Sequence, residues 1–349
     1  MRALVFEGPG HRVWRDMPDP QIADNSDAIV RVDAVTICGT DLHILNGDVP
    51  ETPAGTVLGH EAVGTVVEIG SSVRCLQVGD RVLISCISSC ATCSQCRNGA
   101  YGQCEGGGGW ILGHTIDGTQ AELVRVPFAD TSTYPIPQGL ADEEVLMLAD
   151  ILPTSFEVGV RNGEVQPGDA VAIVGAGPIG LATVMTARLY TPGVIVVIDP
   201  AASRLDLAKS LGADVVVNPE ADDPVTRVRE ITDGAGADAA IEAVGVPETF
   251  ELCARLVRPG GRLANVGVHG RPATLHLEEL WGRNITVRTG LVDTNSTTRL
   301  LELLRQHKLS VLPLITHRFA LWEAERAYDV FERPRDTGAV KVAMFREAH

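Results

Sequence analysis

Aromatic side chains are scarce in this sequence: phenylalanine, tyrosine and tryptophan together make up 4% of its 349 residues. Pocket walls therefore have few landmarks, and composition leaves the shape of any ligand open. No apolar run reaches the roughly 18–20 residues a membrane span needs. Residues 1–7 form too short an apolar stretch for a signal peptide before Gly8-Pro9-Gly10, so a cytoplasmic protein is expected. Basic residues are also few, 29 against 45 acidic, which gives a formal net charge of −16. A surface that acidic repels phosphate backbones and anionic headgroups, which argues against nucleic acid or membrane as the main partner. A nucleotide cofactor is still allowed, because backbone N–H groups at a helix N-terminus can hold a pyrophosphate.

What is present suits a globular protein. Hydrophobic residues are 45% of the chain and charged residues 21%, and the length suits two domains of roughly 100–200 residues each. Up to about residue 145 the patterns are strand-like and turn-punctuated, with partial alternation over 28–35 and an apolar, β-branched run over 62–69. From about residue 168 strands alternate with helices: strands are expected at 170–174, 194–198, 214–217, 237–243 and 262–266. That pattern implies βαβ units and a parallel sheet. Helices near 297–306 and 321–332 and a strand near 339–345 close the chain.

After the first of those strands comes Gly175-Ala176-Gly177-Pro178-Ile179-Gly180. This G-x-G-x-x-G is weak alone in a chain with 36 glycines. It gains weight from its context: strand before, helix after, and Asp199 at the end of the next strand. The glycines allow a tight turn and close approach to a pyrophosphate, and Asp199 can accept from ribose hydroxyls. A carboxylate there repels a 2′-phosphate, so NAD is favoured over NADP; Arg204 covers the adenine or sits in solvent. The bland alternative is a structural strand–turn–helix with Asp199 as a cap.

Eight cysteines are present, and Cys90, Cys93, Cys96 and Cys104 fall within 15 residues. Four thiolates on one short loop suit a tetrahedral Zn²⁺ with no open position, a structural site. In a chain without an export signal this spacing reads as metal binding rather than a disulfide framework.

Cys38-Gly39-Thr40-Asp41, Gly59-His60-Glu61, the four-cysteine lobe and the glycine-rich turn follow one another in this order. As a set, across residues 1–345, they resemble the zinc-containing medium-chain dehydrogenase/reductase superfamily. The resemblance implies an α/β protein. A GroES-like β-rich catalytic domain would span 1–152, with the structural zinc lobe at 86–106. A Rossmann domain with a doubly wound parallel sheet would span 153–292, and residues 293–349 would return to the catalytic domain. It further implies NAD, two zinc ions per chain, and a homotetramer or homodimer, in which the strand-like 285–289 pairs across a two-fold axis.

A catalytic zinc needs three protein ligands and one position for substrate. Cys38 can supply a thiolate and His60 an imidazole. No second cysteine stands where many relatives have one; Asp150 does, as in the bacterial secondary-alcohol dehydrogenases, with Glu61 an adjacent or transient ligand. Asp142, Glu143 and Glu144 are read as surface residues. By the same resemblance Thr40 and His43 relay the substrate proton through the nicotinamide ribose to solvent. Thr154, Gly267, Val268 and His269 face the nicotinamide, and Trp110 walls the substrate pocket. Each has a plainer reading: a helix cap for Thr40, a surface histidine for His43, simple packing for Trp110.

The expected activity is hydride transfer between a small alcohol, secondary or broad-range, and NAD⁺. Alternatives are a polyol or amino-alcohol dehydrogenase of the same fold and a non-catalytic NAD(H) sensor. A zinc-free enone or quinone reductase would have no use for Cys38, His60 and the lobe.

Overall fold

The computed structural model describes residues 1–346 and divides into two compact units, Met1–Pro153 with Val292–His349, and Thr154–Leu291.

The first unit is built on a seven-stranded sheet. Its order runs Ile315–Ala320, Lys341–Phe345, Ala28–Thr36, Ala62–Ile69, Arg81–Ile84, Thr133–Pro135, with Leu123–Val126 pairing the central Ala28–Thr36. Two strands from the end of the sequence thus complete a sheet begun near its start: Met344 stands opposite Val35 in an antiparallel pair. Alternation along Ala28–Thr36 places Ala28, Val30 and Val32 in a core closed by Tyr328, Phe331 and Leu321, and a register shift between Val32 and Ala34 brings Val35 into the same core. A hairpin of Arg2–Gly8 and His11–Asp16, invisible in the sequence pattern, lies apart from that sheet.

The second unit holds a six-stranded sheet in which every neighbouring pair is parallel. The order is Val215–Val217, Val194–Ile198, Ala170–Val174, Ala237–Glu242, Val257–Asn265, Thr286–Thr289. Strands buried on both faces read as continuous Val/Ile/Ala runs, and these do. Chain order reverses between Ala170–Val174 and Ala237–Glu242, the point at which such sheets open a crevice at the carboxyl ends of their strands. This is a Rossmann-type doubly wound sheet.

Three elements depart from the sequence reading. The expected strand at 262–266 runs from Val257 to Asn265, with a register shift where Pro259-Gly260-Gly261 passes the neighbouring strand. The expected helix at 321–332 is a 3₁₀ turn, Leu321–Glu323, followed by a helix, Ala324–Phe331. Residues Ser155–Arg161 form a π-helix that periodicity did not suggest. No helix among the described residues is long and apolar enough to cross a membrane.

Candidate active site

Three strand ends meet at one point of the first unit. Antiparallel pairing sets Val35 opposite Ala62, and Ala62 opposite Ile84. Cys38 lies just beyond the end of the first strand, and His60 and Glu61 just before the start of the second. Past the third, the Cys86 N–H donates to the carbonyl of Ala149 at 3.0 Å, which pins the turn carrying Asp150. One ligand atom from each of Cys38, His60, Glu61 and Asp150 lies within 4.8 Å of the others. Asp150 Oδ2 is 3.5 Å from Cys38 Sγ and 3.4 Å from His60 Nε2.

The neighbours of this cluster explain its orientation. Asp41, third residue of the helix Gly39–Asn46, accepts the Cys38 N–H at 2.9 Å and a Gln120 side-chain N–H at 3.1 Å. Its other oxygen faces His60 Nδ1 at 3.6 Å. A carboxylate on that side of an imidazole favours a hydrogen on Nδ1 and leaves the far nitrogen to ligate, here as a charge facing the ring rather than as a hydrogen bond. Lys341, only 1% exposed, donates to Glu61 Oε2 at 2.6 Å and to the Ile37 carbonyl at 2.7 Å. Thr40 Oγ1 lies 3.6 Å from Cys38 Sγ. The Trp110 ring meets His60 edge-on at 6.2 Å and stacks on His114 at 4.1 Å.

Burial and close packing shift the ionisation of these groups. Burial pushes the Cys38 thiol up, and the charges of Asp150 and Glu61 push it further. Burial likewise raises Glu61, with Lys341 pulling it back down. For His60 burial works downward, but hydrogen bonds to Asp150 and Cys38 outweigh it and the ring ends well above its usual value. Glu61 Oε1 and His60 Nδ1 are buried without a hydrogen-bond partner. One sulfur, one imidazole nitrogen and carboxylate oxygens lie close enough together for a single ion to reach them all, and a sulfur, nitrogen and oxygen donor set suits zinc.

The four-cysteine lobe is a second such cluster, also within 4.8 Å. Backbone N–H groups point at sulfur: Cys93 N to Cys90 Sγ, Cys96 N to Cys93 Sγ and Cys90 N to Cys104 Sγ, each at 3.4 Å. The Thr92 hydroxyl and adjacent amides bring the Cys90 thiol down to about 6, whereas burial pushes Cys96 up to about 12. The lobe is tied down from the chain's last section: Gly102 N–H donates to Asp293 Oδ1, and Asn295 Nδ2 to the Gly99 carbonyl.

In the second unit the glycine-rich turn has the form a pyrophosphate needs. Gly175 has φ +102°. A Cβ on Gly177 would meet nothing within 4 Å, whereas one on Gly180 would stand 1.8 Å from the Gly175 carbonyl oxygen. Pro178 opens the helix Pro178–Ala187, whose first-turn amides lack intrahelical partners. The Ile179 carbonyl accepts from Thr183 and Ser155. Asp199 holds the turn by accepting from Ala176 N and Ala201 N, both at 2.8 Å, so it braces both the glycine loop and the next helix entry. Arg204 is half-buried in the helix Ala202–Leu211. Thr154 closes the short helix Ile151–Thr154. Gly267, Val268 and His269 follow the strand Val257–Asn265; Val268 is 55% exposed, and His269 Nε2 meets Asn265 Oδ1 at 2.9 Å.

His43 and Asp48 form a pair of their own at the end of the helix that begins after Cys38, 2.9 Å apart. Sequence reasoning missed Asp48, Lys341 and His114. No spacing links Lys341 to Glu61, 280 residues away. Asp142 and Glu143, read as surface residues, are half-buried and paired with Arg81 and Arg318.

Known proteins resemble this chain along nearly its whole length. An alcohol dehydrogenase GroES-like domain matches residues 24–138, and a zinc-binding dehydrogenase domain matches residues 178–306. The chain is 39% identical to an alcohol dehydrogenase of Cupriavidus necator, over 99% of this chain and 98% of that protein. It is 34% identical to the NADP-dependent isopropanol dehydrogenase of Thermoanaerobacter brockii, over 89% of this chain and 90% of that one. The solved apo structure of zinc dependent alcohol dehydrogenase 2 from Streptococcus pneumonia shares 45% identity with a TM-score of 0.96, covering 100% of this chain and 99% of that one.

Proposed function

The chain belongs to the zinc-containing medium-chain dehydrogenase/reductase superfamily as a zinc-type alcohol dehydrogenase, and on that premise we propose that it oxidises small secondary or broad-range alcohols with NAD⁺. The observation that carries this reading is the convergence of one ligand atom from each of Cys38, His60, Glu61 and Asp150 within 4.8 Å. We assign Cys38, His60 and Asp150 as ligands of a catalytic zinc and the four lobe cysteines as ligands of a structural one. Glu61 is turned to Lys341 and stands beside the first site as an adjacent or transient ligand.

Bound by Cys38, His60 and Asp150, zinc would supply a Lewis acid for the substrate oxygen, and a bound nicotinamide would supply the hydride acceptor. The chain's own groups do the rest. Asp41 orients His60, the Thr40 hydroxyl takes the substrate proton as it passes its own on by way of the nicotinamide ribose, and His43 hands a proton to solvent. Trp110 walls the pocket beside His60, while Thr154, Gly267, Val268 and His269 hold the nicotinamide end.

NAD is preferred to NADP on charge grounds. Asp199 is anchored by two backbone N–H groups at the loop, and a 2′-phosphate beside it would meet a fixed negative charge. The thiol-rich lobe suits a reducing compartment such as the cytoplasm. The edge strand Thr286–Thr289, near the 84%-exposed Trp281, offers a surface for a second copy in a homotetramer.

One preparation tests the reading: zinc per chain, mass by light scattering, and reduction of NAD⁺ and NADP⁺ with 2-propanol, ethanol and 2,3-butanediol. The expected result is two zincs, a tetramer and NADH formation, with the alcohol ranking narrowing the substrate. One zinc and no turnover would remove the catalytic assignment and leave the lobe.

A further inference from the structure

We propose that Asp48 is a positioning residue for proton release, holding His43 in the tautomer whose Nε2 is free to accept a proton. The inference rests on the relay reading given above and assigns a role to a residue that reading does not include.

The helix Gly39–Asn46 carries Thr40 and His43 three residues apart, on one face. It ends at Gly47, whose φ of +82° turns the chain back on itself. That reversal brings Asp48 to His43 twice. Its N–H donates to the His43 carbonyl at 2.9 Å, and its carboxylate Oδ2 lies 2.9 Å from His43 Nδ1.

A carboxylate only accepts, so the ring nitrogen facing it carries the hydrogen. Nε2 is then left with its lone pair, the state a proton acceptor needs. The same carboxylate stabilises the imidazolium once Nε2 takes a proton, the part an aspartate plays behind a catalytic histidine. His43 is 33% exposed and Asp48 46%, so water reaches the pair and can carry the proton away. A plain surface ion pair would add little to stability and nothing to turnover.

Asp48→Asn tests the idea, because the amide keeps the shape but offers an N–H to Nδ1 and so favours the opposite tautomer. Long-range ¹H–¹⁵N spectra of the protein should show His43 as Nδ1–H in the wild type and mainly Nε2–H in Asp48→Asn. With saturating alcohol and NAD⁺, His43→Ala should lose about tenfold in kcat, less than a direct acid–base group because water partly replaces it. Asp48→Asn should lose several-fold at unchanged zinc content. The double variant should be no slower than His43→Ala, because the two residues act as one unit.

Losses that multiply would overturn the role of Asp48, as would an Nε2–H tautomer in the wild type. Loss in His43→Ala beside wild-type turnover in Asp48→Asn removes Asp48 alone. Wild-type turnover in His43→Ala removes the relay itself, and the role of Asp48 with it.

Discussion

The glycines of the 175–180 loop carry different constraints, and a single added methyl group separates two of them. At Gly177 the backbone is ordinary, φ −72°, and a Cβ would enter open space. Gly177→Ala should fold normally yet place its methyl where a bound pyrophosphate would approach the loop. Its melting temperature should match the wild type while KM for NAD⁺ rises at least about tenfold, the cost of roughly 1.4 kcal/mol of lost binding. At Gly180 the same methyl would stand 1.8 Å from the Gly175 carbonyl oxygen. Helix and turn must part to admit it, so Gly180→Ala should lose about 3 kcal/mol or more of stability, the upper range for overpacking. Equal stability in the two variants would mean that the loop is more pliant than its contacts suggest. Both glycines were legible in the sequence because backbone geometry imposes a fixed spacing. Oxygen ligands and their partners impose none. Asp150 was therefore reached only through resemblance, and Lys341 emerged only once the sheet brought the two ends of the chain together.

Elements of the second unit were legible for a physical reason. Strands covered on both faces must be apolar throughout, so Ala170–Val174 and Val194–Ile198 announce themselves. Their ends are less visible, because side chains far along the sequence decide them. Val257–Asn265 carries Pro259-Gly260-Gly261, which reads as a turn, yet pairing resumes beyond the register shift. Asp238 acts at such an end. Its Oδ2 accepts the Ala170 N–H at 2.8 Å and its Oδ1 the Arg258 guanidinium at 2.6 Å, fastening the starts of two neighbouring strands. Burial works to raise its pKa, but the Ala170 amide and Arg258 outweigh it and the folded value lies below the usual 3.8. A carboxylate depressed on folding contributes stability above its unfolded pKa and loses it as pH falls through the folded one. Asp238→Asn should therefore lower stability by about 1–2 kcal/mol at neutral pH. The gap should be fully present above pH 4 and narrow on further acidification. Denaturant melts of both proteins at pH 7 and below pH 4 read it, and a gap that widens in acid would contradict the assignment.

At the scale of the whole molecule the two candidate metal clusters differ in kind. The lobe offers four sulfurs, each met by backbone or neighbouring side chains, on a loop stapled to Asp293 and Asn295. The other cluster offers one sulfur, one imidazole and carboxylate oxygen, and on the proposed three-ligand reading it would keep a position for substrate. A carboxylate is a harder ligand than a thiolate and binds zinc less tightly in such a set. An open position also gives a chelator its first point of attack. Mild chelation should accordingly remove turnover first, with half of the zinc gone and circular dichroism unchanged. The remaining zinc should leave more slowly, and its loss should lower the melting temperature, because a structural zinc contributes directly to folding. Asp150→Cys sharpens the test: a second thiolate at the catalytic site should slow the first phase of zinc loss and leave the second untouched. If both metals leave together in the wild type, or if Asp150→Cys changes neither phase, Asp150 is not a ligand. The third donor must then be sought in Glu61, the remaining carboxylate of the cluster.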